Sequence, residues 1–174
     1  MNDLVESNEG TNLRNFMAHR GAIIVKEIRN IGKLEAQYNA KLEVETLILR
    51  VVREKKDNLI YGIVLKHIDE KGRDESTVNL DFDEIDELVN AIDFIKNTSN
   101  DLMGTQRDYT EVMYATKDNA KLGFFQNLGS QTAFISLNNR SSMFLDVNRI
   151  GEVQNILRTA RAHLVTAGAE IVRE

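Results

Sequence analysis

The stretch that decides the fold is Ser76–Asn90 (STVNLDFDEIDELVN), and it recurs later in the chain as Ser141–Asn155 (SSMFLDVNRIGEVQN). The two copies align without a gap. Each begins with an alternating, β-prone run and continues with apolar residues at helical spacing. An aspartate, Asp81 or Asp146, stands between the two parts, where its carboxylate can cap the first free N–H groups of a helix. The stretch therefore predicts two similar units, each ending in a strand and a helix.

A second similarity lies upstream of each copy. Lys56-Asp57-Asn58, then three further residues and Gly62, recurs as Lys117-Asp118-Asn119, three further residues and Gly123. Asparagine and aspartate tolerate the left-handed backbone of tight turns, so each triplet predicts a turn between two strands. We therefore expect an α+β fold of two pseudo-repeats, in which antiparallel strands are followed by a helix packed on the sheet.

Apolar periodicity extends this prediction along the chain. Thr46–Val52 is apolar on nearly both faces, which is typical of a central strand. Residues 82–96 have one apolar helical face, and Lys96-Asn97 is the predicted stop. The second unit contains four β-prone runs before a helix whose apolar stripe reaches Leu164. These patterns predict two helices that each lie on a sheet.

The domain organisation follows from these elements. Residues 1–12 are expected to form a mobile tail, and residues 13–97 the first unit with an N-terminal extension. In that extension a short helix is predicted within Leu13–Arg20, and strands are predicted at Ala22–Val25 and Leu34–Tyr38. A polar segment, residues 98–108, is the expected linker, and residues 109–174 form the second unit.

Composition excludes several kinds of chemistry. The chain has 174 residues, no cysteine and a net charge of −5, so it has no disulfide, thiolate metal site or cysteine nucleophile. Motifs for dinucleotide, nucleotide or hydrolase sites do not occur. We therefore predict no catalytic residue, no metal site, no cofactor and no enzymatic activity. The lack of a long apolar run predicts no membrane insertion, and a cytoplasmic location is expected.

Two clusters of polar residues allow other interpretations. The acidic run Asp81, Asp83, Glu84, Asp86 and Glu87 has the carboxylates that a divalent cation prefers, although the start of a helix already explains it. A catalytic use of Asp81 and Asp146 as acid and base would require both to face one pocket.

The three histidines are widely separated along the chain. His19, His67 and His163 have no metal-binding spacing. Each is therefore expected at the surface or at the rim of the core.

Aromatic and basic residues on the predicted strands suggest a binding face. Single-stranded nucleic acid is bound by aromatic stacking together with cationic contacts to phosphates. The candidate contacts are Tyr61, Lys66, Tyr114, Lys117, Lys121, Phe125 and Arg140. The alternative is that the aromatic residues belong to the core and its rim.

The element order over roughly residues 42–165 resembles that of the Whirly, Pur and transcriptional-coactivator-type single-stranded nucleic-acid-binding proteins. The resemblance implies tandem units of four strands and a helix, and it implies nucleic-acid binding. The basic KGKAL-type surface stretch of Whirly proteins is missing, and the chain is acidic. A pleckstrin-homology-like sandwich is a second alternative, which a helix at residues 82–96 disfavours.

These observations predict a non-catalytic binding or assembly module. Its expected partner is a second copy of the chain, because the two apolar faces of Thr46–Val52 call for more cover than one chain supplies. Binding of single-stranded DNA or RNA through a basic, aromatic sheet face is the alternative, and the net negative charge counts against it.

Overall fold

The computed structural model of the chain describes residues 10–52, 58–138 and 141–171. Its helices are α1 (Asn12–Met17), α2 (Phe82–Leu102) and α3 (Ile150–Thr166). Its strands are β1 (Ile23–Glu35), β2 (Lys41–Val52), β3 (Asn58–Ile68), β4 (Asp74–Asp81), β5 (Tyr109–Ala115), β6 (Lys121–Asn127), β7 (Ser130–Asn138) and β8 (Ser141–Leu145). Short 3-10 turns at Gln37–Asn39 and Val147–Arg149 lead into β2 and α3.

The strands form two four-stranded antiparallel sheets. The first sheet has the order β1-β2-β3-β4, and the second has the order β5-β6-β7-β8. In both sheets each strand pairs with the next one along the chain, and a helix follows the last strand. The predicted α+β class, with two repeat-like antiparallel sheets, is confirmed. The strand predicted at Thr46–Val52 is part of β2, in the interior of the first sheet.

The two helices are exchanged between the sheets. Helix α3 follows the second sheet but packs on β1 and β2 of the first, whereas α2 follows the first sheet and packs on β5 and β6 of the second. His163 of α3 lies 3.0 Å from the hydroxyl of Thr46 on β2. Ser99 of α2 donates to the side chain of Gln131 on β7 at 2.7 Å. Each sheet is therefore covered mainly by the helix of the other unit.

This exchange produces one continuous core. Both sheets turn one face, here called the inner face, towards α2 and α3. Apolar side chains from both sheets and both helices form a single buried cluster, which includes Leu42, Ile63, Leu80, Ile85, Ile92, Phe124, Met143, Ile150, Leu157 and Leu164. Burial of apolar surface is the dominant favourable contribution to folding, so the two units share their main source of stability.

The opposite face of each sheet is called the outer face. On the first sheet, α1 covers part of this face, and its Leu13 is completely buried against Leu47, Leu49 and Val64. Gly62 of β3 makes this close approach possible, because a Cβ atom there would lie 2.2 Å from Cδ1 of Leu13. Thr46, Leu47, Leu49 and Val51 of β2 are thus buried within the chain itself, whereas Val52 is 42% exposed. The reason given for expecting a homo-oligomer therefore does not apply to most of this strand.

The two sequence similarities differ in structural meaning. Ser76–Asn90 and Ser141–Asn155 occupy equivalent places, since each spans the last strand of a sheet and the start of the following helix. The triplets do not, because one precedes β3 and the other precedes β6, the third strand of one sheet and the second of the other. Asn119 has a φ of 68°, as its predicted turn requires, whereas Lys56 and Asp57 lie outside the described residues.

Several predicted boundaries differ from the structure. Helix α2 continues past Lys96-Asn97 to Leu102, so part of the predicted linker is helical. The helix predicted within Leu13–Arg20 begins one residue earlier, and the buried Thr11, assigned to the tail, caps it by accepting the N–H of Arg14. The two N-terminal strand predictions correspond to one long strand, β1, which ends before Tyr38. Gly104, two residues beyond Leu102 and with a φ of 79°, was the available signal for the end of α2.

We expect Gly62→Ala to destabilise the protein by about 1–3 kcal/mol, because the new methyl group would overlap Leu13 and would lie 2.3 Å from the carbonyl oxygen of Leu80. Gly151→Ala is the matched control. A Cβ atom there would lie 3.7 Å from Nζ of Lys96, which is an ordinary van der Waals contact. Alanine in a helix is favoured over glycine by about 0.5–1 kcal/mol. Urea unfolding of both variants measures the difference. Equal stabilities would show that α1 does not rest on Gly62.

Candidate binding surface

The acidic start of α2 joins the two units. Glu84 is buried, and its carboxylate accepts the N–H groups of Asp81 and Lys117, each at 2.9 Å. Burial raises the pKa of the Glu84 carboxyl, and the two N–H donors oppose that shift because they favour the charged form. Glu84 thereby holds the turn between β5 and β6 against the first turn of α2.

This cluster of Asp81, Glu84 and the turn between β5 and β6, here called the joint, also holds α1 in place. The carboxylate of Asp81 accepts the N–H groups of Asn12 and Leu13 at 2.7 and 3.0 Å. Asp118, in the turn between β5 and β6, is buried and accepts the N–H of Asn79 at 2.9 Å. Its other oxygen lies 2.6 Å from the guanidinium of Arg14. The second Lys-Asp-Asn triplet is thus a connection between the units as well as a turn.

Each remaining carboxylate of the acidic run also contacts a protein group. Asp83 pairs with Lys117 at 3.2 Å, and Asp86 pairs with Arg161 of α3. Glu87 accepts the hydroxyl of Tyr114 at 3.2 Å. The run is therefore engaged with backbone and cationic groups from three other elements. Among the described residues, no group of three or more acidic or histidine side chains has the arrangement of a metal site.

The other polar candidates lie apart. The carboxylate of Asp146 accepts the N–H of Asn148 at 2.9 Å and so begins the turn before α3, away from the joint that holds Asp81. His19 is exposed and His163 is half-buried, as expected. The prediction for His67 is wrong, because it is 5% exposed. It lies two residues after Leu65 and four after Ile63 on β3, and therefore shares their inner face.

The seven candidate contacts for nucleic acid do not share one surface. Tyr114 lies on the inner face of β5 against α2, and Lys117 is at the joint. Tyr61 donates to the carbonyl of Ala167 beyond α3 at 3.3 Å. Lys66 pairs with Glu45 at 2.8 Å on the outer face of the first sheet. Arg140 lies outside the described residues. Only Lys121 and Phe125 are brought together, on the outer face of the second sheet.

That outer face is ordered in cross-strand rows. One row contains Glu111, Phe125 and Thr132, and the next contains Met113, Gly123, Phe134 and Phe144. A third row contains Ala115, Lys121, Ser136 and Ser142. Eight of these residues line an open groove of about 340 Å³: Glu111, Met113, Lys121, Phe125, Phe134, Ser136, Ser142 and Phe144. In the described part of the chain, no helix covers this face as α1 covers the first sheet.

Aromatic rings dominate the groove. The ring of Phe125 lies 6.2 Å from that of Tyr109, 6.4 Å from Phe134 and 6.3 Å from Phe144, measured between centroids. Tyr109 is exposed and Phe125 and Phe144 are half-buried, whereas Phe134 is buried, with 8% of its surface exposed. Met113 remains 51% exposed beside them. A contiguous apolar patch on a sheet face is typical of a surface that binds another molecule.

The charges of the groove are few and balanced. Glu111 is exposed at one end, and Lys121 is half-buried at the other. Tyr109 donates its hydroxyl to Glu111 at 2.6 Å, and this hydrogen bond raises the pKa of the phenol. Among the described residues that line the groove there is one acid and one base, so apolar contact dominates what this part of the surface can bind.

Sequence reasoning missed most of this surface. Glu111, Met113, Phe134 and Phe144 were not among the candidates. The available signal was the period of two along each strand, which places alternate residues on one face. In the structure, this face carries the odd-numbered residues of β5 and β6 and the even-numbered residues of β7 and β8. The pairing register needed to join those strands was not visible in the sequence.

Comparison of the chain with models of known protein families gives no match, and comparison with curated proteins gives none. None of the helices in the described part of the chain combines the length and the apolar character that crossing a membrane requires. The interpretation of the groove therefore depends on its own chemistry.

We expect Asp118→Ala to lower the free energy of unfolding by about 1–3 kcal/mol, because it leaves the buried N–H of Asn79 without its acceptor. Asp83→Ala is the control. It breaks only an exposed ion pair with Lys117 and should cost less than about 1 kcal/mol. Denaturant unfolding followed by circular dichroism compares the two. Similar losses would contradict the structural role assigned to Asp118.

Proposed function

We propose that the protein is a non-catalytic binding or assembly module, and that the outer face of the second sheet is its binding surface. The observation that carries this proposal is the difference between the two outer faces. Within the described residues, α1 covers part of the first, whereas an aromatic groove lies open on the second. Aromatic residues and methionine are enriched where proteins bind one another.

The chemistry of the groove favours a protein partner. Its centre is apolar, with Met113, Phe134 and Phe144 in one row, and its rim carries Glu111 and Lys121. An apolar centre with a polar rim is the usual anatomy of a protein interface. The carboxylates considered for acid and base chemistry are engaged in the joint between the units or in the turn before α3, which supports a role without catalysis.

The test uses the folded chain as bait in an extract of the cells that make it. Met113→Lys places a charge in the centre of the groove and should reduce retention of a partner at least tenfold. Ile28→Lys is the control, since Ile28 is 58% exposed on the outer face of the first sheet. A retained protein counts only when it is identified and rebinds after purification. Equal retention by both variants would contradict the proposed surface.

Single-stranded nucleic acid is the second candidate ligand, favoured by one observation. Lys121 lies in the same groove as Phe125 and Phe144, and stacking on aromatic rings beside a cation is how such strands are bound. The resemblance in element order to Whirly and Pur proteins points the same way. The net charge of −5 and the presence of Glu111 in the groove oppose it.

Fluorescence anisotropy with labelled single-stranded DNA and RNA, at about 50 and about 200 mM salt, tests this candidate. Phosphate-driven binding weakens steeply over that range. Phe125→Ala should lower affinity by about 1–3 kcal/mol through lost stacking, and Lys121→Glu should lower it further. Lys26→Glu, on exposed β1, is the control. No binding at low salt would eliminate nucleic acid as the ligand.

A further inference from the structure

We infer that the occupant of this groove is a second copy of the chain, bound face to face about a two-fold axis. The inference rests on the proposed binding surface and names its partner. Its basis is the arrangement of the three central rows, in which an apolar row lies between one that contains an acid and one that contains a base. Such an arrangement is complementary to itself.

The symmetry can be specified from the register. Consider a two-fold axis that lies between two facing sheets and crosses the strands at the level of Gly123. This axis places the row of Met113 and Phe144 against the same row of the partner. It places the row of Glu111 over the row of Lys121, because rows on either side of the axis exchange. A two-fold interface uses one patch on both copies, so each patch must satisfy itself in this way.

The contacts follow from ordinary sheet packing. Facing sheets lie about 10 Å apart, with their side chains interdigitated. Glu111 is on β5 and Lys121 is on the adjacent β6, so each glutamate would lie one strand spacing from the lysine of the other copy. Long side chains span that diagonal. Two acid–base pairs therefore flank an apolar centre of methionine and phenylalanine.

The size of the face sets the expected affinity. Four strands about 4.8 Å apart, with about seven residues at 3.3 Å each, cover roughly 440 Å² per copy. Doubling this area gives a value near the lower limit for specific interfaces, which is about 1,000 Å² in total. The dimer should therefore have a dissociation constant in the micromolar range, with monomer present at low concentration.

Sedimentation velocity of the purified chain from about 1 to about 200 μM measures this equilibrium. Glu111→Lys and Lys121→Glu each replace two attractive pairs by two repulsive ones, so each should weaken the dimer at least tenfold. The double variant restores opposite charges and should recover most of the affinity. Glu27→Lys, on exposed β1, is the matched control. All three positions carry a charge in the unmodified chain, and circular dichroism verifies that the four variants fold.

A second measurement uses the lack of cysteine in the chain. Met113→Cys should cross-link to its own copy through a short thiol-specific reagent, because the axis brings the two side chains together. Ile28→Cys, which is exposed on the first sheet, should not. Together the two measurements test both the existence of the dimer and its register.

The outcomes separate this inference from the proposed function. A monomer at every concentration, a dimer insensitive to the charge changes, or a double variant as weak as the single ones would each overturn the face-to-face dimer. If the chain is monomeric but the bait experiment retains another protein through Met113, the surface binds a different partner and the proposed function stands. If both experiments fail, both conclusions fall.

Discussion

The exchange of helices between the two sheets is the constraint on which the rest of this structure depends. An amphipathic helix and a sheet each need a partner to bury their apolar faces. Here α3 supplies it to the first sheet and α2 to the second. Because each unit is stabilised by the other, the boundary between the repeats in the sequence is not a boundary in the core.

Polar contacts make the same connection at one end of the molecule. Four carboxylates form hydrogen bonds or ion pairs with residues of other elements: those of Asp81, Glu84, Asp86 and Asp118. The first three also belong to the acidic start of α2, where negative charge interacts favourably with the positive end of the helix dipole. One short run of sequence thus specifies both where a helix begins and what docks against it.

The sequence was informative about individual helices and strands, but it did not show which of these elements contact one another. Asp81, Asp146 and the apolar spacing after them predicted both helices, and the two apolar faces of Thr46–Val52 predicted an interior strand. The partners of those faces could not be predicted, because strand period indicates which residues share a face but not which element covers it. For the same reason Tyr114 and Lys117 were assigned to a binding face, whereas the register places one against α2 and the other at the joint.

The exchanged helices also determine the order in which the chain can acquire stability as it is synthesised. The first sheet and α2 are synthesised first, yet the helix that covers that sheet, Ile150–Thr166, is made only after the whole second sheet. Until then the inner face of the first sheet stays open to water or to other chains, and exposed apolar surface of this kind is where nascent proteins aggregate. Folding must therefore wait for contacts between distant parts of the chain, which makes it slower than the simple repeat of strands and helices suggests.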